Sequence, residues 1–490
     1  MGRALMLQGT GSNVGKSLIV AGLCRALANQ GLKVAPFKPQ NMSNNAAVTR
    51  DGGEIGRAQA MQARAARVEP VSDMNPILLK PEANGGAQVI VQGRRATTLS
   101  ARDYFANRDR FRPAVLESFQ RLAATADLVV VEGAGSPAEV NLRDGDLANM
   151  GFARAANVPV ILIGDIHRGG VIASLVGTFV VLDPSDAALI RAFLVNNFHG
   201  DPSLFDDGRK FIESRTGVPC LGVIPHWNDA RKLPAEDSLA LDNHRLSHEG
   251  PVRIAVLRLA RIANFDDLDP LMLETSITVE FVQPGAAVPA HADVVIIPGT
   301  KSTIADLRFL REQGWDTDIR AHLRRGGRVL GLCGGYQMLG RRIHDWQGLE
   351  GRPESVDGLG LLDVETTLEP NKALKRISAV HASTSAVITG YEIHLGRTSG
   401  SDCARPFAFI DAVPDGAISR DGRVAGTYIH GCFESDSFRQ AYIASLGGKA
   451  GSLGYAERIE HTLDALARHL TANMDVDRLL ALATTCSNAA

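Results

Sequence analysis

The stretch Gly9-Thr10-Gly11-Ser12-Asn13-Val14-Gly15-Lys16-Ser17 follows the apolar run Ala4-Leu5-Met6-Leu7 and leads into an amphipathic pattern that reaches Ala28. Strand, glycine-rich turn and helix in that order gather backbone N–H groups at a helix N-terminus, where they cradle phosphate oxygens. In such a loop Lys16 reaches the outer phosphates and the Ser17 hydroxyl ligates Mg²⁺. Thr10, Gly11, Ser12, Gly15, Lys16 and Ser17 are therefore the expected nucleotide-binding residues. A strict Walker A has glycine where this chain has Thr10, its glycines falling at Gly9 and Gly11. The bland alternative is an ordinary glycine-rich strand-helix turn, which the Gly-Lys-Ser triplet at the head of an amphipathic helix disfavours.

Outward from this loop the chain keeps a strand-helix rhythm. Lys33 to Phe37, Leu128 to Val131, Val158 to Gly164, Phe193 to Asn196 and Leu221 to Ile224 are near-continuous apolar runs, the mark of a parallel sheet covered on both faces. After Pro225 the composition turns polar, and a fresh strand begins at Val252. The expected organisation is a first domain over 1–235, a linker over 236–250, a second domain over 251–445 and a helical tail over 446–490 with no assignable chemistry. The fold class is α/β, with two α/β domains. At 490 residues the chain exceeds what one hydrophobic core sustains, in keeping with two or more units.

Composition narrows the function. Lys plus Arg number 52 and Asp plus Glu 54, so binding to nucleic acid or anionic membrane through bulk charge is not expected. Six cysteines without CxxC spacing argue against a disulfide framework or zinc knuckle. Neither a signal-peptide core nor an uninterrupted apolar span is evident, and the reading is a cytoplasmic protein. Its oligomeric state is left open.

A second reactive element is Gly331-Leu332-Cys333-Gly334-Gly335, at the end of the expected strand Arg328 to Leu332. A strand running into a sharp turn and a helix presents Cys333 on an elbow that admits only small neighbours, and the helix N-terminus favours thiolate. Backbone N–H groups of Gly334 and of the Pro298-Gly299-Thr300 turn are the expected oxyanion donors, with Gly299 as the candidate there. Such a donor is typically worth about 10²–10³ in rate. The general base should be a histidine distant in sequence. His430, ending the strand Gly426 to Ile429, is preferred over His394. A third member of the pair is not identified; Glu434 and Glu392 are bare guesses.

The phosphate loop resembles that of the dethiobiotin synthetase family, in which threonine at the Thr10 position is expected. Lys38-Pro39, the Glu54 to Gln59 spacing and Val131-Glu132-Gly133-Ala134-Gly135 match the same family. The resemblance implies that acids at the Glu54 and Glu132 positions help hold Mg²⁺, so the implied metal set is Ser17, Glu132 and Glu54. Glu132, a carboxylate at a strand end facing the loop, also suits this on physical grounds. Cys333 and His430 resemble the class I glutamine amidotransferases, which form a γ-glutamyl thioester and release ammonia. Many members carry Glu two residues after the histidine; this chain has Cys432, as the cobalamin-pathway branch commonly lacks that Glu.

The phrases Val34-Ala-Pro-Phe-Lys38-Pro-Gln-Asn-Met-Ser43, Gly53-Glu-Ile-Gly-Arg57-Ala-Gln59 and Gly390-Tyr-Glu-Ile-His394 extend the likeness to the cobyric acid synthase family over nearly the whole chain. That resemblance implies ATP and glutamine as cosubstrates and a corrinoid acceptor, adenosylcobyrinic acid a,c-diamide, amidated at its b, d, e and g carboxylates through acyl phosphates. Gln40, Asn41 and Asn44 are expected near the corrinoid. The alternatives are the sister a,c-diamide synthase and, in a different class, a regulatory P-loop ATPase carrying an inactive amidotransferase-like module.

Overall fold

A computed structural model of the chain describes residues 2–82, 85–235 and 249–486. The expected linker over 236–250 lies outside the described residues except for its last two positions. The first sheet is parallel in the order Cys220–Pro225, Ile190–Phe198, Val160–Asp165, Arg3–Gly9, Leu128–Glu132, Val34–Phe37. Its centre is apolar on both faces, as the uninterrupted runs require; every residue of Leu128–Glu132 is buried. Gly9, Phe37, Glu132 and Asp165 all stand at carboxyl ends of strands, on the edge where open α/β sheets bind ligands.

The second sheet runs Ile277–Val282, Val252–Leu257, Val294–Ile297, Arg328–Leu332, Val424–Thr427 in parallel, with Ala417–Ile418 antiparallel at its edge through the Asp421-Gly422 turn. Sequence periodicity does not reveal two antiparallel sheets. In the first domain Ile77–Pro81, Gly86–Val91 and Arg94–Ser100 form a meander. In the second, Ala373–His381 and Val387–His394 form a long hairpin, and Ile429–His430 pairs with the latter strand. These sheets face each other across the domain boundary, where Ala46, Val48, Leu78 and Ile90 pack with Tyr391 and Ile393 in a small shared core.

The tail returns to the first domain. Helix α1 (Lys16–Asn29) packs against the long helix Tyr455–Asn473, and Thr484–Thr485 pairs with Arg3 and Ala4. The approach is close at Gly22, where an added Cβ would lie 2.4 Å from Leu470 Cδ1 and 2.8 Å from Leu466 Cγ. Arg25 of α1, wholly buried, reaches Glu460 at 2.5 Å. The tail therefore completes the covering of the nucleotide-domain sheet. Leu466→Ala should destabilise the protein by about 2–5 kcal/mol through lost transfer energy and a residual cavity. Urea unfolding measures it, and a loss under about 0.5 kcal/mol, the range of an ordinary surface change, would show the tail to be peripheral.

Candidate functional site

Gly15 adopts φ 94° immediately before α1, a left-handed turn that glycine takes without strain. Lys16 Nζ donates to the carbonyls of Gly11 (2.8 Å) and Gly135 (3.0 Å), spanning the loop and the segment after Glu132. Glu132, wholly buried, collects donors from three directions: Ser17 Oγ at 2.7 Å and Lys38 Nζ at 2.8 Å on Oε1, and Gln62 Nε2 at 2.5 Å on Oε2. A carboxylate this deep persists only with such partners. The structure thus brings Ser17, Lys16 and Glu132 together, and adds Lys38 and Gln62. Asn196 Nδ2 donates to the Val14 carbonyl at 2.8 Å and fixes the loop from the neighbouring strand.

Glu54 is not brought to that group. Its oxygens accept from Lys80 (3.0 Å) and from Lys372 of the second domain (2.6 Å). Burial opposes its charge, but Lys372 and Lys80 outweigh burial and hold the carboxyl down at about 2. Both oxygens are paired with ammonium groups at the domain boundary, whereas Glu132 pairs with one ammonium group, Lys38, and with the Ser17 hydroxyl. Of the residues expected near a corrinoid, Gln40 accepts from Tyr104 (2.6 Å) and Asn41 donates to Gln59 (2.8 Å). Asn44 lines the chamber in front of Cys333.

Cys333 has φ 50° and ψ −108°, a strained conformation for a residue with a side chain, at the head of Gly334–Leu339. The elbow is tight: a Cβ on Gly335 would fall 2.0 Å from the Ile297 carbonyl oxygen. Gly299 borders both partners, since a Cβ there would stand 3.1 Å from His430 Cε1 and 3.8 Å from Cys333 Cβ. His430 Nδ1 is 2.7 Å from Asp267 Oδ2, and Asp267 Oδ1 accepts from the Gly431 N–H at 2.7 Å. This bond fixes the ring and leaves Nε2 for proton transfer. Burial disfavours the charged ring, yet Asp267 and Cys333 override it and raise His430 to about 10.

Asp267 is the residue that sequence reading misses. It lies in the short helix Phe265–Leu268, after the first strand of the second domain and 163 residues before His430. The only signal was the acidic run Asp266-Asp267-Leu268-Asp269 beyond a buried strand. Glu434 bonds Arg57 (2.7 Å), and Glu392 pairs with Lys375 (3.0 Å) and His394 (3.4 Å). His394 stacks on Tyr428 with ring centroids 3.7 Å apart.

The chamber at Cys333 has walls from both domains, among them Lys80 and Gln88 of the first and Lys301, Lys372 and Gln337 of the second. Burial lowers Lys372 to about 8 although Glu54 opposes the shift, and lowers Lys301 as well, with Lys80 adding to it. Cations crowd this space, which suits a ligand carboxylate.

Asp267→Asn should cut glutamine hydrolysis by about 10²-fold or more while leaving the fold in place. A raised histidine pKa stabilises fully below the unfolded value of 6.5, and the effect is lost as pH rises through about 10. The stability deficit of Asp267→Asn should therefore be largest below that unfolded value and shrink toward pH 10. Chemical denaturation across this range checks it; a pH-independent deficit would contradict the pairing.

Residues 5–240 match the model of the CobQ/CobB/MinD/ParA nucleotide binding domain, and residues 253–438 match the CobB/CobQ-like glutamine amidotransferase domain. The chain is 63% identical over 480 residues to the cobyric acid synthase of Cereibacter sphaeroides, covering 98% of this chain and 99% of that one. It is also 63% identical over 480 residues to the Paracoccus denitrificans enzyme, with the same coverage. With the Bradyrhizobium diazoefficiens enzyme the figure is 61% over 483 residues, covering 99% of this chain and all of the relative. Both domains, in this order and at this identity over nearly the full length, make the chain a member of the cobyric acid synthase family.

Proposed function

We propose that the protein is a glutamine-hydrolysing amidoligase that converts adenosylcobyrinic acid a,c-diamide to adenosylcobyric acid by amidating the b, d, e and g carboxylates, each with one ATP and one glutamine. The observation that supports this reading is that Cys333 and His430, the latter bonded to Asp267, line a chamber walled partly by the nucleotide domain. One chain holds both half-reactions and joins them at that wall.

In the amidotransferase half, Cys333 Sγ attacks the side-chain amide carbon of glutamine. Backbone N–H groups near Gly299 and Gly334 receive the oxyanion, and His430 Nε2 hands a proton to the departing ammonia. Water then cleaves the γ-glutamyl thioester to glutamate and restores the thiol. Asp267 holds the imidazole by Nδ1 throughout. The α-carboxylate of glutamine faces the lysines of the chamber.

In the synthetase half, Thr10, Gly11, Ser12 and Gly15 cradle the phosphates and Lys16 reaches the outer ones. A substrate carboxylate oxygen attacks the γ-phosphorus, ADP leaves, and ammonia displaces phosphate from the acyl phosphate to form the amide. Little covalent help is needed, so the protein contributes position and charge. Ser17 Oγ and Glu132 Oε1, hard oxygens 2.7 Å apart at the head of α1, are the residues that would hold Mg²⁺. The ion would neutralise charge on the transferring phosphoryl group.

Cys333→Ser should abolish glutamine-dependent amidation and leave ammonium-supported amidation intact, with products counted by mass spectrometry on purified corrinoids. Persistence of glutamine-dependent product, or loss of both activities in a folded variant, would contradict the scheme. Conversion of cobyrinic acid itself to its a,c-diamide would instead support the sister activity.

A further inference from the structure

Helix α2 (Arg57–Ala65) touches both sites. From its sixth position Gln62 donates to Glu132 Oε2 at 2.5 Å and to the Ser17 carbonyl at 3.3 Å, inside the nucleotide site. From its first position Arg57 crosses the domain boundary. Its Nη2 lies 2.7 Å from Asp266 Oδ2 and 2.7 Å from Glu434 Oε1, and its Cζ stands 6.0 Å over the Tyr391 ring. Tyr391 in turn stacks on His430, with centroids 5.3 Å apart and planes within 17°. At a rise of ~1.5 Å per residue, the two ends of this link are only about 7.5 Å apart along the helix axis.

The start of the helix is held rigidly. Arg57 N donates to the Asn45 carbonyl (3.0 Å) and Gly56 N to Asn75 Oδ1 (3.0 Å), while Asn75 Nδ2 reaches the carbonyl of Lys38 (3.1 Å), the lysine on Glu132. A second crossing bond steadies Tyr391: Asn264 Nδ2 donates to the Ala46 carbonyl (2.7 Å) and to the Tyr391 hydroxyl (2.8 Å). The charge pattern gives Arg57 a specific task. Asp266, Asp267, Asp269 and Glu434 crowd one region; burial and the neighbouring carboxylates push Asp266 up to about 6 and raise Asp269 well above the usual carboxylate range, and Arg57 is the guanidinium that opposes them. Without it, the acids beside Asp267 lose that compensation, and the field at His430 changes with them.

We propose that helix α2 couples the two sites, with Arg57 as a positioning residue for glutamine hydrolysis that ties the geometry of Asp266, Tyr391 and His430 to the state of Glu132 through Gln62. This rests on the roles assigned above to Cys333 and to the nucleotide loop. A nucleotide arriving at Ser17 and Glu132 competes for the bonds Gln62 shares. The displacement is passed along one rigid helix to the ring that activates the thiol. Ammonia release is thereby matched to an occupied synthetase site.

The test uses the full-length protein and the rate constant for alkylation of Cys333 by iodoacetamide, corrected with Cys333→Ser for the other cysteines. It is measured with and without Mg²⁺ and a non-hydrolysable ATP analogue. In the wild type the analogue should change the rate by about fivefold or more, the lower end of ordinary coupling between sites. Arg57→Met should react about tenfold more slowly without nucleotide and lose the response, while Arg57→Lys, which keeps the charge, should recover part of it. Ammonium-supported amidation shows that the nucleotide domain of each Arg57 variant is intact. Should Arg57→Met fail to fold, Gln62→Met, at the other end of the helix, decides: it should lose the response at analogue concentrations shown by calorimetry to saturate it. An unresponsive wild type, or a wild-type response in Arg57→Met or Gln62→Met, overturns the proposal. Failure of the underlying reading is distinguishable, because it shows in Cys333→Ser as surviving glutamine-dependent amidation whatever the alkylation rates.

Discussion

Buried charge at the domain boundary is the constraint on which the remaining structure depends. Glu54 is shared between Lys80 of its own domain and Lys372 of the other, and Arg57 spans Asp266 and Glu434. Desolvation offsets much of the attraction in such pairs, so they add little net stability, yet removing one partner typically costs about 3–5 kcal/mol. Their effect is to specify register: the domains fit in the arrangement that brings these charges together. The shared apolar core is small by comparison, comprising Ala46, Val48, Leu78, Ile90, Tyr391 and Ile393. An apolar patch of that size tolerates sliding, whereas paired charges do not.

Register then creates the chamber at Cys333. The first domain's meander supplies Lys80 and Gln88 to its wall, and the second supplies the elbow, the histidine and the lysines. Neither domain alone encloses the space in which ammonia is released in the proposed mechanism. Enclosure matters because free ammonia in bulk water is protonated and lost as a nucleophile. The same boundary carries helix α2, so one seam governs both the chamber and the link between the half-reactions.

Much of this architecture was legible in the sequence, for reasons that differ by element. The parallel strands announce themselves because burial on both faces demands unbroken apolar runs such as Leu128-Val-Val-Val131, and the phosphate loop and cysteine elbow because their turns require glycine at fixed offsets. Arg94-Arg-Ala-Thr-Thr-Leu-Ser100 gave no such signal: as a largely exposed edge strand it carries no apolar alternation. Asp267 was invisible because its role depends on a contact with a histidine 163 residues away. The lysine partners of Glu54 were hidden for a related reason. The family pattern pointed to a metal ligand, and the lysine that most strongly claims its charge, Lys372, belongs to the other domain and is 318 residues distant. Local pattern reports what a segment needs from its neighbours in sequence; it is silent on charges that meet only when two domains dock.

The central claim is that ammonia made at Cys333 is consumed at the nucleotide domain without passing through solvent. Glutamine labelled with ¹⁵N in its side-chain amide, turned over with ATP and corrinoid in the presence of excess unlabelled ammonium at neutral pH, tests this directly. The account predicts that mass spectrometry finds the new amides of the product almost wholly ¹⁵N. Label diluted to the isotopic ratio of the bulk ammonium pool would contradict it.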